Sequence, residues 1–78
     1  MGYRESELES VGAVVTDAGI DAADDVEATL GACRVRWSWG WARVARIEGF
    51  DRWGTSTAAE GEAWTGAQVR DLVARVTQ

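Results

Sequence analysis

The side chains that could do chemistry here are thirteen carboxylates, eight arginines, five tryptophans and one thiol, Cys33, in a chain of 78 residues without histidine. Without imidazole there is no histidine ligand for a metal and no Ser–His or Cys–His pair to activate a nucleophile. A single cysteine makes neither an intrachain disulfide nor a cysteine-based zinc site. Cys33 falls on the apolar side of an alternating run, where a lone thiol is ordinarily a small buried apolar group. Glu60 with Glu62, or Asp24 with Asp25, have the composition of a glycosidase pair, but so short a chain leaves little room for a cleft beside a core. No glycine-rich phosphate loop occurs. The cluster Asp17, Asp21, Asp24, Asp25 and Glu27 lacks the alternating ligands, central Gly and closing Glu of a calcium loop, and reads as helix capping and a solvated face. No enzyme, no cofactor and no metal are therefore expected.

Binding chemistry is better supplied. The stretch Cys33–Trp53 holds five arginines and four tryptophans, and it alternates apolar with polar residues as a β-strand does. Trp39-Gly40 and Glu48-Gly49 sit between alternating runs as two-residue hairpin loops would. Strands at about 33–38, 41–47 and 50–55 follow, an antiparallel meander over about 33–55. In that register Ser38 faces Trp41, Trp37 faces Ala42 and Val35 faces Val44. On the far side Arg46 faces Asp51 and Val44 faces Trp53. One face then carries Cys33, Val35, Trp37, Ala42, Val44 and Trp53. The other carries Arg34, Arg36, Arg43 and Arg52 around Ser38, Trp41, Ala45, Ile47 and Phe50. A one-residue slip would exchange the faces.

The elements that must position this sheet flank it. Ser6-Glu7-Leu8-Glu9 matches a capping box, and Leu8, Val11, Val15 and Ala18 recur at helical spacing, so a helix is expected at about 7–18. Gly12 and the Val14-Val15-Thr16 run make a strand at 11–16 the alternative. Asp21 can cap a second helix at about 22–30, with Ala23, Val26 and Leu30 as its stripe and Gly31 as its stop. Residues 54–63 read as a loop, a weak edge strand or an early helical turn. Thr65-Gly66-Ala67-Gln68 is another capping box, followed by Val69, Leu72, Val73 and Val76, which predicts a helix at about 66–77. Trp64, at the N′ position, is expected to pack on it as a hydrophobic staple. The expected fold is α+β, a small single domain over residues 1–78, its meander packed by N-terminal helices and a C-terminal helix.

Charge divides the chain. Residues 1–30 carry eight carboxylates against Arg4, residues 31–53 five arginines against Glu48 and Asp51, and the whole has a net charge of −5. Four arginines around Trp41 and Phe50 have the makings of a phosphate-contacting, base-stacking face: Arg34, Arg36, Arg43, Arg52 and Trp41 are the nucleic-acid candidates. The opposing expectation is that these arginines pair with the chain's own surplus of carboxylates. Trp39 and Trp41 flank Gly40 at a hairpin tip, and exposed tryptophans and carboxylates are typical of protein-binding surfaces. The candidate partner-binding residues are Glu5, Glu9, Asp17, Asp21, Asp24, Asp25, Glu27, Trp39 and Trp41.

No apolar run is long enough for a membrane span and no signal peptide opens the chain, while Met1-Gly2 with Ser6 formally fits an N-myristoylation pattern. All basic residues are arginine beside abundant Ala, Gly and Val, which suggests GC-rich bacterial or phage coding and a cytoplasmic location in a bacterial host. As a short, acidic chain without catalytic motifs, it resembles the small anti-CRISPR and other anti-defence proteins of phages and mobile elements. That resemblance implies a stoichiometric inhibitor of a nucleic-acid-handling defence complex, with Glu5, Glu7, Glu9, Asp17, Asp21, Asp24, Asp25 and Glu27 standing where nucleic acid would lie. The expected function is thus a non-enzymatic, protein-binding inhibitor. The alternatives are a small nucleic-acid-binding domain on the arginine face, or a minor structural subunit of a larger assembly.

Overall fold

The computed structural model describes residues 2–20, 25–47 and 58–77. Its elements are α1 (Tyr3–Ser10), β1 (Val14–Ile20), β2 (Asp25–Leu30), β3 (Cys33–Ser38), β4 (Trp41–Arg46), β5 (Ala58–Gly61) and α2 (Gly66–Thr77). The strands form one antiparallel sheet in the order β1-β2-β3-β4-β5. The α+β class is as expected, but among the described residues the sheet has five strands where three were expected.

The first correction concerns the N-terminal third. A helix does form, but over Tyr3–Ser10 rather than 7–18, and its opening is not the Ser6–Glu9 box. The Gly2 N–H instead donates to Glu5 Oε1 at 3.0 Å. Val11 and Ala13 both donate backbone N–H groups to the Leu8 carbonyl, and Gly12 takes φ +90°, so the chain turns out of the helix there. The β-branched run Val14-Val15-Thr16 then enters β1, as its propensity favours. The second correction is larger. The helix expected at 22–30 is, over its described part, strand β2. Val26, Ala28 and Leu30 are four residues or fewer apart along a helix, but they are also every second residue of a strand. Paired with β3 as Val26↔Trp37, Ala28↔Val35 and Leu30↔Cys33, they join a sheet face that is already apolar. Gly31, read as a helix stop, is the left-handed first residue of the β2–β3 hairpin loop, at φ +61°.

The β3–β4 hairpin has the expected register: Ser38↔Trp41, Trp37↔Ala42 and Val35↔Val44. On its far side β4 pairs with β5, with Val44 opposite Ala59. The expected strand at 50–55, the Glu48-Gly49 turn, the Arg46–Asp51 pair and the residues Phe50, Arg52 and Trp53 lie outside the described residues, as do Asp21 and Asp24.

α2 starts and stops where expected. Thr65 Oγ1 accepts the Gln68 N–H at 3.3 Å, and Gln68 Oε1 accepts the Thr65 N–H at 3.0 Å and the Trp64 N–H at 2.7 Å. Its stripe of Val69, Leu72, Val73 and Val76 is buried against β3, β4 and β5. Both helices cover the same sheet face, where Val26, Ala28, Cys33, Val35, Trp37, Ala42 and Val44 complete the core. Burial of one such Val or Leu side chain contributes about 1.5–3 kcal/mol. α1 adds Leu8, fully buried, and crosses α2 so closely that a Cβ on Gly66 would strike the Glu7 carbonyl. The sheet edges are blunted. β1 shifts register between Val15 and Asp17 and between Ala18 and Ile20, as β-bulges do, and β5 is only four residues long.

Candidate functional site: an aromatic end and a charged face

Two surfaces carry the candidate residues. The first lies at the end of the sheet where the β3–β4 loop turns. Trp37, the largest fully buried side chain among the described residues, donates its indole Nε1–H to the Ala63 carbonyl at 3.0 Å, which satisfies its one polar group. That bond fixes residues 63–64 just ahead of α2. Tyr3, from the first turn of α1, lies with its ring 6.5 Å from Trp37 and donates its hydroxyl to the Trp64 carbonyl at 2.6 Å. Trp39, at the tip of the loop, meets Trp64 edge to face, with ring centroids 5.3 Å apart and planes at 89°. Such T-shaped pairs contribute about 0.5–1.5 kcal/mol beyond simple area burial.

Gly40 makes this arrangement possible in two ways. Its φ of +71° closes the two-residue loop, and a Cβ there would lie 2.7 Å from the Trp64 ring. Trp64 was expected as a staple on α2. Its ring is instead placed against Trp39 and over Gly40. The outcome is a cluster of Tyr3, Trp37, Trp39 and Trp64 in which only Trp37 is buried. Trp39 remains 74% exposed, Tyr3 61% and Trp64 46%. A cleft lined by these rings, Arg4, Gly40 and Ala63 has a volume of about 10 Å³. That is room for about one water molecule, and far below the several hundred Å³ of a small-molecule pocket.

The second surface is the sheet face opposite the helices. Here the register lines up one rung across all five strands: Asp17, Glu27, Arg36, Arg43 and Glu60. Arg36 Nε donates to Asp25 Oδ2 at 3.3 Å, and its Nη1 lies 3.7 Å from Glu27 Oε2. Arg43 Nε lies 3.2 Å from Glu60 Oε1, within ion-pair distance but without the angle of a hydrogen bond. Asp25 is 8% exposed, and its second oxygen, Oδ1, has no hydrogen-bond donor. Ala45, between the arginines, is fully buried, and Trp41 on the same face is 44% exposed. Two of the candidate nucleic-acid arginines are thus held by carboxylates of the chain. Arg34 lies one rung away, opposite Thr29 and Ala45.

The acidic candidates among the described residues are dispersed rather than gathered on two helices. Glu5 serves the start of its own helix. Glu7 reaches across to α2, where its Oε1 accepts the Gly66 N–H at 2.9 Å, a carboxylate set at the positive end of a helix. Glu9 is exposed on α1. Asp17 Oδ1 accepts the neighbouring Ala18 N–H at 2.9 Å on the edge strand. Asp25 and Glu27, expected on a helix, are committed to Arg36 in the sheet. Sequence reasoning missed Tyr3 and Trp64 as site residues. Their one signal was type, since both are aromatics placed next to helix starts.

Cys33 is fully buried beneath α2, opposite Arg46. Burial pushes its thiol pKa up, and the Arg46 guanidinium offsets this only in part. A buried, protonated thiol is a poor nucleophile. No helix among the described residues is long and apolar enough to cross a membrane, and no three metal-ligating side chains converge among them. Compared with protein-family models, curated proteins and solved structures, the chain matches none.

Proposed function

We propose that this chain is a small, non-enzymatic protein-binding module that engages its partner through the aromatic end formed by Tyr3, Trp39 and Trp64. The observation that carries this reading is the exposure of Trp39. Three-quarters of a large indole stands in water at a loop tip, held by a perpendicular Trp64. A rigid aromatic anchor of that kind is the commonest hot-spot element of protein interfaces. Its mode of action would be that of a stoichiometric inhibitor, as in the anti-CRISPR and anti-defence proteins whose short, acidic profile it resembles. Its target would be a nucleic-acid-handling complex of a bacterial host.

The second reading, nucleic-acid binding on the arginine face, has less support. Arg36 and Arg43 are engaged by Asp25, Glu27 and Glu60, and phosphate would have to displace those carboxylates against a net charge of −5. Affinity capture from a bacterial lysate tests the choice, run with the natural chain and with the Trp39→Ala/Trp64→Ala double variant. A nucleic-acid-handling protein retained by the first and lost by the second is the expected result. Retention of the same proteins by both would remove the aromatic end from consideration. Salt-sensitive DNA or RNA binding that quenches tryptophan fluorescence would favour the arginine face instead.

A further inference from the structure

We infer that α1 is a strap across the aromatic end, opening and closing as one unit about Gly12 while the sheet and α2 stay folded. Leu8 is the only residue of α1 that is buried. Two polar bonds add to its hold, and both land at the start of α2. The Tyr3 hydroxyl donates to the Trp64 carbonyl at 2.6 Å, and Glu7 Oε1 accepts the Gly66 N–H at 2.9 Å. Eight residues are too few for a helix to persist unsupported in water, so α1 keeps its place through such contacts with the rest of the chain. Gly12 follows it at φ +90°, with open space where a side chain would stand. Glycine there leaves the link to β1 free to take other dihedrals. Ala13, on the far side of that link, is buried in the core and marks where the fixed part begins.

The position of the strap decides the shape of the aromatic end. Tyr3 and Arg4, two of the residues lining its cleft, come from α1, and the closed cleft of about 10 Å³ holds no more than a water molecule. With α1 lifted, those two walls leave. Trp37, Trp39 and Trp64 remain as an open shelf carried by β3, the hairpin loop and the residues ahead of α2. The binding surface proposed above thus has a closed and an open form. That bearing on a partner deepens the protein-binding reading and rests on it, whereas the opening itself does not.

Native-state hydrogen exchange of the whole chain, read by NMR over a series of urea concentrations, tests this. The amides of residues 6–10 and of Gly66, whose acceptor is Glu7, are compared with those of β3 and β4. The strap amides and Gly66 are expected to share one protection factor, about tenfold or more below that of the slowest sheet amides, with a weak dependence on urea. Leu72 and Val73, in the middle of α2, should stay with the sheet. Val44→Ala removes core packing that survives opening of the strap. It should therefore speed exchange in the sheet about tenfold or more and leave the strap amides unchanged. Strap amides that follow the sheet in level, urea dependence and response to Val44→Ala would overturn the inference. So would a graded loss of protection along α1, which is end fraying, or a Gly66 amide that keeps the sheet's protection while residues 6–10 lose it. Should the strap open while lysate capture does not depend on Trp39 and Trp64, the strap stands and its bearing on a partner alone is lost. Capture that depends on both, beside α1 exchange at the level of the sheet, rejects the strap and leaves the protein-binding reading intact.

Discussion

The aromatic end and the arginine face look alike as lists of side chains and differ in what is left over once the chain has folded. Each offers residue types associated with binding. On the arginine face the charges are largely answered from within: one cross-strand rung sets Arg36 and Arg43 between Glu27 and Glu60, and Asp25 closes on Arg36 from the next rung. At the aromatic end the internal contacts use the inner parts of the cluster and leave its outer part in water. Trp37 and the Tyr3 hydroxyl are satisfied, while Trp39 is not covered. Residue type nominates a surface, but unspent interaction capacity decides between candidates.

The strongest way to break the contrast is to remove the prop behind the aromatic end. Trp37→Ala should cost about 3–5 kcal/mol in chemical denaturation, because it leaves a cavity in the core and releases the Ala63 carbonyl. The next test separates binding from folding. Trp39→Ala should lower stability by about 0.5–1.5 kcal/mol, the contribution of its edge-to-face pair with Trp64, yet weaken partner binding by about 2 kcal/mol or more. A variant that loses both together would mean that Trp39 is structural. On the opposite face, Arg36→Met should cost about 1–2 kcal/mol, since it strips a nearly buried Asp25 of its partner. The pair of Arg43 and Glu60 is about half exposed, so Arg43→Gln should cost about 0.5 kcal/mol or less, and less still in high salt.

The smallest effect concerns the core between the two surfaces. With the Cys33 thiol pKa raised in the folded state, the unfolded chain loses its proton first as pH rises. Stability should therefore be intact below pH 9.0 and decline above it, and Cys33→Val should flatten that alkaline limb in urea titrations. A thiol reagent should label the native protein only after unfolding.

The β3–β4 hairpin and α2 were legible in the sequence because each combines a clear period with matched end signals. The two-residue turn at Trp39-Gly40 sets the register of the alternation on either side of it, and Thr65 to Gln68 box the start of a stripe that repeats for two turns. β2 was not, because Val26 and Leu30 satisfy both periods and the acidic residues before them imitate a helix cap. Only pairing with the apolar face of β3, across the two-residue loop Gly31-Ala32, favours the strand. β5 carries no signal of its own, since Ala58-Ala59-Glu60-Gly61 has weak strand propensity and is a strand because β4 offers it a ladder. The site was half legible. Trp39 could be named from its place in a turn, but its partner Trp64 is twenty-five residues later, and nothing local says that they meet.

The stitching of α1 to the start of α2 also bears on the order in which the molecule forms. Tyr3 bonds to Trp64 across 61 residues of sequence, and Glu7 to Gly66 across 59. An eight-residue helix has little stability alone, so α1 gains its hold only when the far end of the chain arrives. During synthesis the hairpins can pair early, but α1 must wait until Trp64 and Gly66 have been made. Such distant closures slow folding, and they make loss of the final helix a defect felt at the opposite terminus.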